Sequence, residues 1–178
     1  MKEIIGESIK LRPLLPDDLD FLFAIENNER YWEVSGTTKP YSRDLLKKYI
    51  EASKQPLEIA NQYRFVIEKI PSKSQLGFID LFDYDSSASS AGVGIIIDPN
   101  FQNQGFGSMA LGLLIDYCRK ELGLKKLYCS IHANNRYSLQ LFSKYDFVNM
   151  DFKKDVESSA GSSKNEIFLQ CLLKNPNE

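Results

Sequence analysis

Along this chain the spacing of apolar residues alternates between about two and nearly four, and the changes mark a mixed α/β order. Ile9 and Leu11 alternate with polar neighbours through Ser8–Leu14, a first strand that ends at proline. Pro16-Asp17-Asp18 then opens a helix whose apolar positions are Leu19, Leu22, Phe23 and Ile25, with its acids at the favourable N-terminal end. Ser42 caps a second helix through Leu45, Leu46, Tyr49 and Ile50, which stops before Pro56. Tyr63–Glu68 and Gln75–Phe82 read as neighbouring strands, Asp83–Ser90 as a polar hairpin loop, and Ala91–Ile97 as a strand halted by Asp98-Pro99. A helix follows over Ser108–Leu122, with Met109, Leu113, Leu114, Tyr117 and Cys118 as its buried face. Lys126–Ile131 is a half-buried strand, and Asn134 or Asn135 caps the next helix. Phe147–Phe152 and Glu166–Leu173 make a last hairpin across the flexible Ser158–Ser163 connection.

Glycine interrupts this pattern at two places. Gly92 and Gly94 lie inside a strand, which weakens it unless a bulge or a close backbone approach requires them. Gln102-Asn103-Gln104-Gly105-Phe106-Gly107 joins that strand to the long helix. Free N–H groups at a helix start, without a Cβ to hold a ligand away, suit a pyrophosphate. The Walker loop is excluded because Ser108 follows Gly107 with no lysine between, and the dinucleotide fingerprint, whose third glycine can be an alanine such as Ala110, because the loop from the strand is too long and lies mid-chain.

The spacing instead resembles the Gln/Arg-x-x-Gly-x-Gly/Ala motif of the GNAT superfamily of acyl-CoA N-acyltransferases. Asn135-x-x-Ser138-x-x-Leu141-Phe142-x-x-x-Asp146-Phe147 resembles that superfamily's second signature, in the expected order after a strand. The resemblance spans nearly the whole chain and implies one GNAT-type domain over 1–178. Its fold is a central, mostly antiparallel sheet, splayed where acyl-CoA lies and flanked by helices. It also implies acetyl-CoA as co-substrate. Backbone groups of Ile95, Ile96 and Ile97 would pair with the pantetheine arm, Gln102, Asn103, Gln104, Gly105, Phe106, Gly107 and Ser108 would hold the pyrophosphate, and Asn135, Ser138 and Phe142 would complete the site.

Composition narrows the alternatives. A length of 178 residues suffices for one domain burying roughly 70% of its unfolded surface. The net charge of −2 and scattered lysines and arginines argue against a nucleic-acid partner. No apolar run approaches the roughly 20 residues that span a bilayer, and the charged residues among Met1–Leu15 argue against a signal sequence, so a cytoplasmic protein is expected. Cys118, Cys129 and Cys171 form no C-x-x-C pair, which fits a reducing compartment, and the single histidine, His132, leaves no ligand set for a metal. An open sheet edge is compatible with a homodimer.

N-acylation needs a base for the attacking amine and a donor for the departing thiolate, each contributing typically 10²- to 10⁴-fold, and no covalent nucleophile. Many members of the superfamily use a tyrosine for the thiolate, but the matching residue here is Phe142. Ser138, one turn earlier, is the expected replacement, as in the resembling branch that acetylates ribosomal-protein N-termini; Tyr145 is a second candidate. Asp80 and Asp83 resemble two glutamates of spermidine acetyltransferases, while Gly92 stands where many relatives have a glutamate. Alternation sends Asp80 and Asp83 to opposite faces unless a bulge intervenes, so Asp80 is the expected base or amine-attracting group. Trp32, Glu33 and Asp80 are the expected acceptor-side residues. The acceptor reads as a primary amine, a polyamine in particular; a protein or peptide N-terminus, or an acyl-CoA-binding module weak in catalysis, stays open as an alternative.

Overall fold

A computed structural model describes residues 2–32, 37–150 and 165–173. In chain order the elements are β1 (Ile4–Ile5), β2 (Ile9–Pro13), α1 (Leu19–Glu26), α2 (Arg43–Ala52), α3 (Leu57–Ala60), β3 (Tyr63–Lys69), β4 (Gln75–Asp85) and β5 (Ser90–Ile97). They continue as α4 (Phe106–Lys120), β6 (Lys126–His132), α5 (Arg136–Ser143), β7 (Val148–Asn149) and β8 (Glu166–Leu172). The strands form an eight-stranded sheet in the order β1-β2-β3-β4-β5-β6-β8-β7. Every neighbouring pair is antiparallel except β5 and β6.

Strand alternation divides the sheet into two apolar faces. On one, Leu11, Phe65, Ile79, Leu81, Val93 and Leu127 pack under α4 through Phe106, Ala110, Leu111, Leu114 and Cys118. On the other, Val66 and Phe78 pack under Leu22 and Ile25 of α1 and Leu46 and Ile50 of α2. Caps set the helix starts: Ser42 Oγ accepts from Leu45 N, and Asn135 Oδ1, rather than Asn134, accepts from Ser138 N at 3.1 Å.

Three expectations change. The long helix starts at Phe106 behind a left-handed Gly105, so its buried stripe runs through 106, 110, 114 and 118; Met109 is 36% exposed. The hairpin loop shrinks to four residues' width between Asp85 and Ser90, because a bulge between Phe82 and Asp85 lets β4 run on. In the last hairpin, β7 covers only Val148–Asn149, while residues 151–152 and the serine-rich 158–163 lie outside the described residues. Neither α3 nor β1 announces itself by period, since each is no more than four residues long.

Candidate active site

The parallel pair opens the sheet. β5 pairs with β4 from Gly92 opposite Phe82 to Ile97 opposite Gly77, but with β6 only at Ser90, Ala91 and Gly92. Beyond Gly92 the strands part, and β6 continues against β8 as far as His132. Asp98 N donates to Leu76 O at 2.8 Å, which fixes the alternation: Gly94 and Ile96 turn their backbone groups to β4, and Val93, Ile95 and Ile97 turn theirs into the opening. Ile97 O already accepts from Tyr31 Oη at 3.1 Å and Gln102 Nε2 at 2.9 Å. The last parallel pair, Gly92 with Tyr128, uses Val93 N, so Val93 O and both backbone groups of Ile95 face the opening with no strand partner. Ile96 does not: its backbone belongs to the β4 ladder and its side chain packs with the second core.

The turn after β5 ends on the same opening. Asp98 Oδ1 accepts from Asn100 N at 2.8 Å and starts a tight turn over Pro99–Phe101. Asn103 (φ 60°) and Gly105 (φ 84°) then bend the chain in the left-handed region, and Gln104 Nε2 ties back to Asn100 O at 3.1 Å. The first N–H to bond back into α4 is that of Met109, to Gly105 O. The N–H groups of Gln104, Gly105, Phe106, Gly107 and Ser108 donate to no backbone carbonyl among the described residues. Above Gly105 the space is open, the nearest atom to an added Cβ being the Met109 methyl at 4.0 Å. An added Cβ on Gly107 would touch Leu141, Ile97 and Ile95 at 3.5–3.8 Å, so α4, α5 and β5 meet there. The donors and the helix dipole suit an anion, and the unpaired β5 edge suits an extended chain bearing amides. The edge and the turn adjoin where Ile95 and Ile97 reach Gly107.

Of the remaining expected contacts, Asn135 and Ser138 form the first turn of α5, and Ser138 Oγ makes no hydrogen bond among the described residues. Phe142 is core instead, 2% exposed and edge-on to Phe147 with ring centroids 4.9 Å apart. Phe106 likewise turns its ring inward and leaves only its N–H at the turn. Tyr145 Oη donates to Ser108 O and lies 3.2 Å from Ser108 Oγ, which ties the end of α5 to the start of α4. This link was missed because it depends on Gly112, where any Cβ would sit 2.9 Å from the Tyr145 hydroxyl.

On the opposite face, Asp80 is held by Arg64 through Nε–Oδ1 and Nη2–Oδ2 bonds of 2.8 Å each, and Arg64 Nη1 also pairs with Glu26. The guanidinium lies over the rings of Tyr49 and Phe78. Burial alone would lower the Arg64 pKa, but Asp80, Tyr49 and Glu26 outweigh it and hold the group charged. Burial pushes the Tyr49 phenol up to about 12, against a lowering by Arg64. The Arg64–Asp80 pair follows from the strand register, in which the two residues face each other across β3 and β4. Asp83 is exposed at the bulge (φ 48°), away from this cluster. Trp32 Nε1 donates to the main-chain carbonyl of Glu26 at 3.0 Å, which ties it to the end of α1; Glu33 lies outside the described residues.

The other candidate nucleophiles are set aside by position. Burial raises the Cys118 thiol and pushes Cys129 up to about 12. His132 shapes the turn into α5, its carbonyl accepting from Asn135 N at 2.8 Å. Among the described residues no three metal-ligating side chains cluster, and no helix is long and apolar enough to cross a membrane.

Residues 8–148 match the family model of the acetyltransferase (GNAT) domain. The chain is 30% identical to spermidine N(1)-acetyltransferase of Escherichia coli K12, covering 96% of this chain and 83% of that protein. Its fold superposes on a Vibrio cholerae spermidine N-acetyltransferase in complex with CoA and spermine, with TM-score 0.79, 24% identity and coverage of 93% and 95%. A dodecameric structure of spermidine N-acetyltransferase from the same organism gives TM-score 0.73, 26% identity and coverage of 93% and 94%.

Proposed function

The chain belongs to the GNAT acetyltransferase family, acetyl-CoA-dependent enzymes, and from that premise we propose that it transfers the acetyl group directly to a basic primary amine, a polyamine in particular. The observation that carries the reading is that the β5 edge left unpaired at Ile95 adjoins, at Gly107, the turn whose N–H groups from Gln104 to Ser108 donate to no backbone carbonyl among the described residues. Acetyl-CoA supplies the activated acyl carbonyl. The chain supplies the binding: the turn takes the pyrophosphate and the β5 edge takes the pantetheine amides. Ser138, with its hydroxyl unengaged at the head of α5, donates to the departing sulfur; buried Phe142 has no proton to give. Asp80 draws the ammonium toward the opening, with Glu26 on the same guanidinium and Trp32 bonded to the Glu26 main chain. The same reading takes 1–178 as one domain and allows it to self-associate.

Arg64 changes what Asp80 can do. Both Asp80 oxygens accept from the Arg64 guanidinium and neither is left as a free acceptor for the amine, so Asp80 serves as an electrostatic anchor, and a water beside it passes the amine proton to solvent. This restraint, together with Gly92 and Phe142, favours a second reading, a weakly catalytic acyl-CoA-binding module. Salt separates the acceptor claim from both. Attraction between exposed charges is screened over about 8 Å at physiological ionic strength, so kcat/KM for spermidine should fall as salt rises. Asp80→Asn should lower it and flatten the salt dependence; an unchanged kcat/KM in Asp80→Asn rules out the anchor.

A further inference from the structure

Gly92 is the last β5 residue paired with β6, and its partner there is Tyr128. A Cβ on Gly92 would lie 2.3 Å from Cε2 of Phe82, so the Phe82 ring occupies the side-chain space of position 92. Tyr128 meets that ring edge-on, with centroids 6.2 Å apart and an interplanar angle of 87°. Both rings are half-buried. They lie on the face that carries Asp80: an added Cβ on Gly94 would come within 3.8 Å of Phe82 and 3.9 Å of Asp80. The vertex of the opening is therefore lined by two aromatic rings with a carboxylate at their edge.

We propose that Phe82 and Tyr128 form an aromatic floor under the acceptor and select a primary amine carried on an unbranched hydrocarbon chain. The inference rests on the acetyl-transfer reading and names its substrate class. Methylenes gain by covering ring faces, and an ammonium near the rings is attracted by their electron density. A carboxamide on the carbon bearing the amine is disfavoured, because the nearby backbone of Gly94 is committed to β4 and Asp80 to Arg64, so its polar atoms lose water without replacement. A polyamine satisfies the floor; the α-amino group of a peptide does not.

Pentylamine and norleucinamide differ only by that carboxamide, and calorimetry on the protein saturated with coenzyme A tests the floor without turnover. The wild type should bind pentylamine about tenfold or more tightly than norleucinamide. Phe82→Leu and Tyr128→Leu should each weaken pentylamine about fivefold and narrow the preference, with coenzyme A affinity within about twofold of wild type. Gly92→Ala, which displaces the Phe82 ring, should act in the same direction. Tyr128→Phe should bind like wild type, because the ring and not the hydroxyl is used. Equal affinity for the two amines, no binding of pentylamine, unaffected leucine variants, or a loss in Tyr128→Phe as large as in Tyr128→Leu would each overturn the floor. Selective binding without thiol release would uphold it and overturn the acetyl-transfer reading instead.

Discussion

Gly105 combines a left-handed φ of 84° with open space above its Cα, so a side chain there acts on the backbone and on a ligand but on no packed neighbour. Gly105→Val should cost about 1–2 kcal/mol of stability in backbone strain and abolish coenzyme A binding in a protein that still folds. Circular dichroism and calorimetry on the same sample check both halves; wild-type affinity in the folded variant would remove the cradle. At α5, Ser138→Ala should lower kcat with little change in the KM for acetyl-CoA, since its hydroxyl matters as charge develops on sulfur. Tyr145→Phe should leave kcat within about twofold but lower stability by about 1 kcal/mol, because the bond to Ser108 O is lost. The reverse ranking of the two variants in kcat would transfer the donor role to Tyr145. The turn glycines and the Asn135 cap were legible from sequence because their signals are local. Phe142 and Arg64 were not: one takes its place from Phe147, the other from carboxylates on a helix and a neighbouring strand.

Between elements, β2, β3 and the turn before α1 are joined by Arg12, which holds Asp18 through bonds of 2.7 and 2.8 Å and also pairs with Glu68. Burial raises the carboxyl pKa of Asp18 and Glu68, but Arg12, with Leu15 N and Gln75 at Asp18 and Lys10 at Glu68, outweighs it, and both lie below their ordinary values. A folded-state pKa that is depressed contributes stability above the unfolded value, about 4 for carboxyls, and loses it as pH falls through the folded one. Urea unfolding should therefore show stability falling below about pH 4. Arg12→Met leaves two buried carboxylates without their cation and should cost about 3–5 kcal/mol at neutral pH, with the difference from wild type shrinking in acid. A pH-independent difference would contradict the linkage. The ordering of the larger elements was readable from period and caps, whereas the buried face of α4 turned on where the helix begins. That start is set by the conformation of Gly105 and not by the apolar pattern.

Across the whole molecule, the sheet separates two tasks. The face under α4 builds the main core and brings the helix start to the end of β5, and the face under α1 and α2 carries Asp80, Arg64 and the aromatic pair. The opening between β5 and β6 joins them. The two motifs predicted this arrangement by resemblance; the pairing of Gly92 with Tyr128, and its end there, was beyond the sequence, because a strand pattern does not record where a parallel partner departs. Thiol release from acetyl-CoA, measured across spermidine, simple alkylamines, amino acids and peptides with free N-termini, tests the proposed transfer most directly. The expected result is release that depends on a cationic alkylamine, matched mole for mole by acetylated amine and highest in kcat/KM for spermidine or a similar chain. Release no faster with any amine than without one, in protein that binds coenzyme A, would contradict it.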